Sequence, residues 1–371
     1  MMTAEHGKTA DARKGRGAVS NASGRYERFT TESFDDGWVI APQDWEPTDG
    51  LEPLRTSVTV ETAKSIIAHN TSPDIPFDQS INPYRGCEHG CVYCYARPAH
   101  AYVGLSPGQD FESRLFVKPN AAELLARELS RPGYKPSPIM LGANTDPYQP
   151  IERDHRITRE ILEVLDACSH PVGITTKSAN VLRDVDILAR MASRNLVAVG
   201  VSITTLDPAL ARIIEPRAAT PAKRLAAIRA LSEAGVPVTL MAAPMIPHVN
   251  DMELEALLQA GADAGARLAA YILLRLPLEV RDLFAEWLTT HFPDRKERVL
   301  AQVRETRGGR DYDPTFGQRM TGRGVYAELL NKRFKIKTRQ LGLNRAEPTE
   351  VHLDTSLFVP PVPPGGQMRL F

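Results

Sequence analysis

Cysteine is scarce in this chain, with four residues in 371. Three of the four fall within eight positions, which excludes a disulfide framework spread over the fold and leads us to expect a reducing, cytoplasmic setting. Long apolar runs are also missing. No stretch of about 18 apolar residues is present to cross a bilayer, and the N-terminus has no apolar signal-peptide core. We therefore expect a soluble protein with no membrane partner. Net charge is absent as well: 45 Lys and Arg balance 45 Asp and Glu, which removes any global pull toward nucleic acid. What the chain does have is apolar material, 42% of its residues, ample for a core. Its length fits one large domain or two.

Charge is uneven along the chain. Residues 1–30 are rich in Gly, Ala, Ser, Lys and Arg without apolar period, and read as a disordered basic N-terminus. Lys14-Gly15-Arg16-Gly17 reads there as part of a solvated tail rather than a polyanion contact. Residues 31–79 carry ten Asp and Glu against Arg55 and Lys64, and read as an acidic extension packed on the core. Trp38 and Trp45 are its expected anchors, and Val58 to Ile67 its expected strand and helix. Residues 278–358 form a basic, mainly helical C-terminal region. Within it, 295–345 hold fourteen Lys and Arg against five Asp and Glu. Lys332, Arg333, Lys335, Lys337 and Arg339 alternate there with Phe334 and Ile336. That run is a candidate contact for a phosphate backbone; the competing reading has the acidic extension cover it. Gly308-Gly309, Gly317 and Gly322 mark loops suited to closing over a site. Residues 359–371 form a Pro/Gly-rich, extended tail.

From residue 80 to 277 the texture becomes a regular alternation. Apolar runs at Ser80–Asn82, Ile139–Ala143, Val172–Thr176, Leu196–Ile203, Val236–Ala243 and Ala269–Leu274 read as strands buried on both faces. Helical patterns lie between them: Ile157, Ile161 and Leu165; Val181, Val185 and Leu188 behind Asn180 as N-cap; and Leu225, Ile228 and Leu231 between Thr220-Pro221 and Gly235. Asp251 is expected to cap a helix carrying Leu254, Leu257 and Leu258. Six βα units predict a parallel sheet, too short for a complete eight-stranded barrel. In such folds reactive groups sit at the C-terminal ends of the strands.

The first of those ends runs into Cys87-Glu88-His89-Gly90-Cys91-Val92-Tyr93-Cys94. Three thiolates so close can grip a metal and leave one coordination position open. A structural zinc site normally closes with four N or S ligands, so zinc would need His89 or His100 as its fourth. An iron–sulfur cluster on three Cys keeps one iron free.

Cys87, Cys91 and Cys94 in the pattern C-x3-C-x2-C, with aromatic Tyr93 before the last, resemble the radical SAM superfamily. Residues from Ser80 to about Pro277 are similar to its spore-photoproduct-lyase-like branch, also labelled DNA-repair-photolyase-like. Asn82-Pro83-Tyr84-Arg85-Gly86, Tyr95, Thr145-Asp146-Pro147-Tyr148-Gln149, Thr176-Lys177-Ser178, Glu215-Pro216-Arg217 and Pro244-Met245-Ile246-Pro247 carry that likeness. The resemblance implies an α/β fold, a partial (β/α)6 TIM-like barrel with N- and C-terminal extensions. It implies a [4Fe–4S] cluster on the three cysteines, with S-adenosylmethionine (SAM) on the open iron. It further implies reductive cleavage to a 5′-deoxyadenosyl radical and a single-electron reductant such as a flavodoxin or ferredoxin.

Groups expected at the barrel mouth give the candidate cofactor contacts. Tyr93 and Tyr95 flank the last cysteine. Asn144, Thr145 and Asp146 stand where many members hold the methionine amino group with a Gly-Gly-Glu-like stretch, which this chain lacks; a turn held by Asx hydrogen bonds is the plainer reading. Lys177 and Arg217 compete for the methionine carboxylate, and Ser202 is placed to meet a ribose. The lyase of this branch uses a further cysteine. Here the spare one, Cys168, falls between a helix and the start of a strand, on the opposite face, as a buried structural residue. Tyr84, Tyr95, Tyr148 and Tyr271 remain as radical-relay candidates. The substrate is read as nucleic acid or a modified nucleotide, with a protein or small metabolite second. A non-catalytic iron–sulfur or zinc protein that binds nucleic acid is the alternative of another class.

Overall fold

The computed structural model describes residues 14–27, 54–345 and 352–361. Trp38 and Trp45, and the tail beyond 361, lie outside the described residues. Ten strands are present among them: β1 Ser57–Val60, β2 Ile67–His69, β3 Gln79–Ile81, β4 Tyr84–Arg85, β5 Arg114–Val117, β6 Ile139–Leu141, β7 Val172–Thr176, β8 Val197–Ser202, β9 Val238–Met245 and β10 Leu268–Leu273. Seven form the main sheet in the order β10-β9-β8-β7-β6-β3-β2. Its pairs are parallel from β10 through to β3, and β2 adds antiparallel at the edge. The six parallel strands are those expected from the apolar runs. Ile81, Leu141, Val172, Ile174, Val199, Val201 and Leu240 are fully buried or nearly so, as sheet covered by helices on its outer face requires.

The helices bury the faces their periodicity dictates. Ile157–Ala167 turns Ile157, Ile161 and Leu165 inward. Pro221–Glu233 starts with Thr220 accepting from the Lys223 amide, 3.4 Å, and Gly235 follows at φ +78°, a value only Gly adopts freely. Three local expectations are corrected. The Val181–Leu188 pattern splits into a 3-10 turn, Ala179–Asp184, and a helix, Val185–Ala192; Ser178, not Asn180, caps the turn. Asp251 opens another 3-10 turn without capping it, because its carboxylate takes the Tyr326 hydroxyl at 2.6 Å. The segment from Val58 to Ile67 holds no helix: its two ends are strands that join different sheets.

Both edges of the main sheet are covered. Glu128 accepts from the Ile66 and Ile67 amides beside β2, at 2.8 and 3.2 Å. Along β10, Leu273 N donates to Met320 O at 2.9 Å, and the Asn344 side chain brackets Ala269. The loop carrying Met320 also reaches the β2–β3 connection, where Arg319 clasps Asp74 through two bonds of 2.8 and 2.6 Å. The lateral gap of an incomplete barrel is thereby bridged by chain rather than by strands.

A second sheet, β1-β5-β4, stands beside the first. Its β4 and β5 are antiparallel, and the excursion between them is the cysteine loop. The basic helix Val325–Leu341 packs on the helix Leu254–Asp263 and on β10. Arg333 pairs there with Glu255 at 2.6 Å, and Lys337 donates to Gln259 at 2.9 Å. Phe334 packs at a tilt on Tyr271, 4.9 Å between ring centroids. This corrects the sequence picture of a basic element beside the mouth: the run lies along the outer wall, and of its five cations Lys332, Lys335 and Arg339 are exposed.

Candidate metal centre

Cys87 to Cys94 lie just past β3 and β4, at the C-terminal end of the parallel strands. Cys87 and Cys91 are buried and Cys94 is half-buried. The loop turns through Gly86 at φ +73° and Gly90 at φ +70°. A Cβ on Gly86 would meet Leu115 and the Phe111 carbonyl inside 3 Å, so only Gly fits. Backbone bonds tie the loop to its neighbours: Cys87 N to Phe111 O at 2.8 Å, Val92 N to Ile214 O at 3.3 Å, and Arg217 N to His89 O at 3.2 Å. Gln149 adds a clasp, accepting from Glu88 N at 2.9 Å and donating to Gly86 O at 3.2 Å.

Fully buried Arg97 holds the loop from behind. It donates to the carbonyls of Cys91, Gly90, Pro107 and Gly108 at 2.9–3.2 Å and pairs with buried Glu112. Residues 14–27 were expected as disordered tail, and this is corrected. Gly17 N and Ala18 N donate to the Glu112 carboxylate at 2.9 and 2.8 Å. Arg16 donates to Glu112 O at 2.6 Å, and Val19 packs in one apolar cluster with Cys91, Val92 and Tyr93. A basic, Gly-rich stretch carries no period, but its amides and one valine fit this groove.

The sequence-predicted residues fall into two groups. Tyr93, Lys177 and Ser202 meet in a buried network around Glu215. Tyr93 and Thr204 donate to Glu215, and Arg224 pairs with its other oxygen. The Lys177 ammonium reaches Ser202 Oγ at 2.6 Å, Ala243 O at 3.2 Å and Glu215 at 3.3 Å. Burial alone would push Glu215 up; the charges of Arg224 and Lys177 outweigh it and hold the carboxyl well below the usual range. Asp146 clasps rather than protrudes, accepting from Thr176 Oγ1 and Lys177 N at 2.7 Å and from Tyr148 N at 2.9 Å, with His89 Nδ1 at 3.2 Å. Burial again opposes ionisation, and His89 with these donors keeps the carboxyl low.

In the second group Asn144, Arg217 and Tyr95 are at least partly exposed, whereas Thr145 is buried and donates its hydroxyl to Tyr84 O at 3.3 Å. Asn144 and Thr145 amides bond to Asn82 Oδ1 at 3.0 and 3.3 Å; the Asn144 side chain makes no hydrogen bond among the described residues. Arg217 is partly exposed and touches Glu88 through one nitrogen at 3.1 Å. Tyr95, 48% exposed, donates to Ala143 O at the end of β6 and lies under the Arg275 guanidinium. Sequence reasoning gave no role to Glu215, Arg97, Glu112 or Gln149. Glu215 and Gln149 carried only the family likeness; Gln149 and Glu112 act through partners more than 60 residues away, and Arg97 through carbonyls of an aperiodic loop.

The donor set fits a cluster. Burial pushes the Cys87, Cys91 and Cys94 thiols up, so binding metal must release their protons. Among the described residues no group of three or more His, Cys, Asp or Glu converges on one point. A cubane does not ask for convergence, since each thiolate takes a different iron. Cys168 lies at the end of Ile157–Ala167, where Val359 N donates to its carbonyl at 2.9 Å; it precedes β7, at the N-terminal end of the strands and away from the cysteine loop. No helix among the described residues is long and apolar enough to cross a membrane.

The profile of the radical SAM superfamily matches residues 81–260. The uncharacterized protein Rv2578c of Mycobacterium tuberculosis is 36% identical over 281 residues, covering 74% of this chain and 79% of its own. The uncharacterized protein MJ0683 of Methanocaldococcus jannaschii is 32% identical over 173 residues, 47% of this chain and 62% of its own. The chain belongs to the radical SAM superfamily. Spore photoproduct lyase complexed with dinucleoside spore photoproduct shares its fold, with a TM-score of 0.53 at 15% identity over 77% of this chain and 80% of that one. The partial barrel expected from six βα units is therefore the fold of this protein.

Proposed function

We propose that the chain is an enzyme that carries a [4Fe–4S] cluster on Cys87, Cys91 and Cys94 and cleaves SAM there, acting on a nucleic acid or modified nucleotide. The observation that carries it is a glycine-turned loop of three cysteines at the C-terminal end of a parallel sheet, where such folds keep reactive groups. When bound, the cluster supplies one electron, and SAM so cleaved gives a 5′-deoxyadenosyl radical.

The chain's own residues divide the remaining work. Arg97, Glu112 and Gln149 hold the loop, as above. The Asn144 side chain takes the methionine ammonium, with Thr145 and Asp146 fixing the turn that presents it. Arg217 takes the methionine carboxylate: its side chain is 37% exposed, and Glu88 is its one ion-pair partner among the described residues. Lys177 has its three donors turned toward Ser202, Ala243 and Glu215, so with Ser202 and Tyr93 it forms the floor. Tyr95 flanks the cluster on the open side. A flavodoxin or ferredoxin delivers the electron. Nucleic acid is favoured because the fold is shared with a lyase complexed with a dinucleoside spore photoproduct. With Cys168 at the N-terminal end of the strands, hydrogen return does not run through a cysteine of this chain.

The test is anaerobic reconstitution with iron and sulfide, then dithionite and SAM, with assay for 5′-deoxyadenosine. Wild type should form it and Cys94→Ala should not. A wild-type protein that holds four irons and forms none would remove the enzyme reading, and one that takes only zinc would remove the cluster.

A further inference from the structure

Five buried or partly buried arginines pair with carboxylates: Arg97 with Glu112, Arg183 with Glu152, Arg224 with Glu215, Arg319 with Asp74 and Arg333 with Glu255. Buried Arg16 and Arg307 donate to backbone carbonyls instead. Arg275 has neither kind of partner. It follows β10, at the C-terminal end of the sheet. Its guanidinium lies 5.3 Å from the Tyr95 ring and 5.8 Å from the Tyr312 ring. Its hydrogen-bond partners are weak acceptors, Met320 Sδ at 3.3 Å and Tyr312 Oη at 3.2 Å. Its Nε is shielded from solvent without a partner, and it makes no ion pair among the described residues. Behind it, buried Arg307 is spent on the carbonyls of Leu273, Leu274, Gln318 and Arg319. Burial, helped by Arg275, lowers Arg307 to about 10, still charged at neutral pH. Two positive charges thus stand together beside the cluster loop, and the nearer to the mouth pairs with no anion among the described residues. Leaving a guanidinium partly desolvated and unpaired is costly. An oxyanion offers the planar acceptor pair that its fork fits.

The surroundings say which oxyanion. Four residues on, Glu279 pairs with Arg25 at 2.6 Å; the chain between spans at most ~14 Å. Arg25 lies over Tyr26 and Tyr102, which stack on each other 5.4 Å apart and are 55% and 69% exposed. Exposed tyrosines beside a guanidinium are how single strands are held irrespective of sequence: bases stack and the backbone meets the cation. Tyr95 and Tyr102 both come from the segment that leaves Cys94, so the track leads to the metal centre.

We propose that this rim is the binding track for a single-stranded or unpaired stretch of nucleic acid, with Arg275 holding a phosphate and Tyr102 and Tyr26 stacking a base. The proposal rests on the nucleic-acid reading above and assigns it a site. The basic helix Val325–Leu341, on the outer wall, is not that site.

The test uses the full-length, anaerobically reconstituted protein and a fluorescein-labelled single-stranded oligodeoxynucleotide, read by anisotropy over a salt series, with its duplex alongside. SAM binding is measured separately by calorimetry. Wild type should prefer the single strand. Arg275→Ala should weaken binding roughly tenfold and flatten the log K against log salt slope by ~0.7, the value of one single-strand phosphate contact. Arg275→Lys should restore the slope but not all of the affinity, since an ammonium lacks the stacking plane. Tyr102→Ala, at an exposed position that folding does not need, should cost roughly tenfold with the slope unchanged. Unchanged affinity and slope in Arg275→Ala with unchanged affinity in Tyr102→Ala overturns the proposal. So does a loss confined to the Lys332→Ala, Lys335→Ala double variant. Loss of SAM affinity in Arg275→Ala with oligonucleotide binding intact overturns it too, and assigns the anion to the cofactor's carboxylate. Oligonucleotide binding and 5′-deoxyadenosine formation are read independently: a protein that cleaves SAM yet ignores oligonucleotides sinks the rim and leaves the enzyme standing.

Discussion

Glu215 receives a phenol, a hydroxyl and a guanidinium, with an ammonium 3.3 Å away. It ties together β7 through Lys177, β8 through Thr204, the cysteine loop through Tyr93 and the helix Pro221–Glu233 through Arg224. Replacing a buried, paired carboxylate by an amide strands its cations, at a cost of about 3–5 kcal/mol. The pH dependence has a definite sign. The folded-state pKa is depressed, so the stability this group contributes is present above the unfolded carboxylate value of about 4.3 and is lost as pH falls below it toward the folded value. Glu215→Gln should therefore lower the urea midpoint of the metal-free protein at pH 7, and the gap from wild type should narrow between pH 5 and 3. A gap that stays constant over that range would mean Glu215 is not held ionised. None of this was legible in sequence: Glu215 is one acid among 45 Asp and Glu, and its cations lie 38 positions before and nine after it.

At the scale of elements, those that depend on nearby residues were legible and those that depend on distant ones were not. The six parallel strands announce themselves as apolar runs, and Thr220-Pro221 with Gly235 brackets its helix. Residues 14–27 offer no such signal. They are fixed by Glu112, about 95 residues away, and by a surface without room for a side chain. A Cβ on Gly17 would lie 1.8 Å from Gly90 O and 3.3 Å from Val92 N. Both are backbone atoms of the cysteine loop and cannot rotate aside. Gly17→Ala must lift the segment off the loop and break the two amide bonds to Glu112, each worth about 1.5–3 kcal/mol as a hydrogen bond to a charged group. Groups that orient metal ligands typically change affinity 10- to 100-fold when altered. The variant should keep its far-UV circular dichroism and, after reconstitution, lose iron to a chelator roughly tenfold faster than wild type. Wild-type rates of iron loss would show that the segment merely covers the loop.

For the whole molecule, six βα units leave a barrel open along one side, between β10 and β2. Sequence counting predicts that opening and says nothing of how it is closed, because the closing groups lie in glycine-rich loops without period. Gly308, Gly309, Gly317 and Gly322 were read as marks of loops closing over a site. In the structure this segment instead seals the side: Met320 extends the β10 edge, Arg307 fastens the strand's last carbonyls, and Arg319 reaches Asp74 beside β2. Gly317 N adds a third bond to the same carboxylate at 3.1 Å. Among the described residues Asp74 thus makes the hydrogen bonds between this segment and the connection that leads into β3. Its loss should loosen the seam while the sheet, held by its own ladder, stays shut. Asp74→Ala should therefore speed amide hydrogen exchange across 307–324 and leave protection in Val238–Met245 as it is in wild type. If both regions loosen together, the seam and the barrel form one cooperative unit, and the segment acts as a missing barrel wall rather than as a strap laid over the gap. Faster exchange in 307–324 alone would also mean that Tyr312, and Arg275 which it and Met320 help to position, can shift independently of Tyr95 beside the cysteine loop.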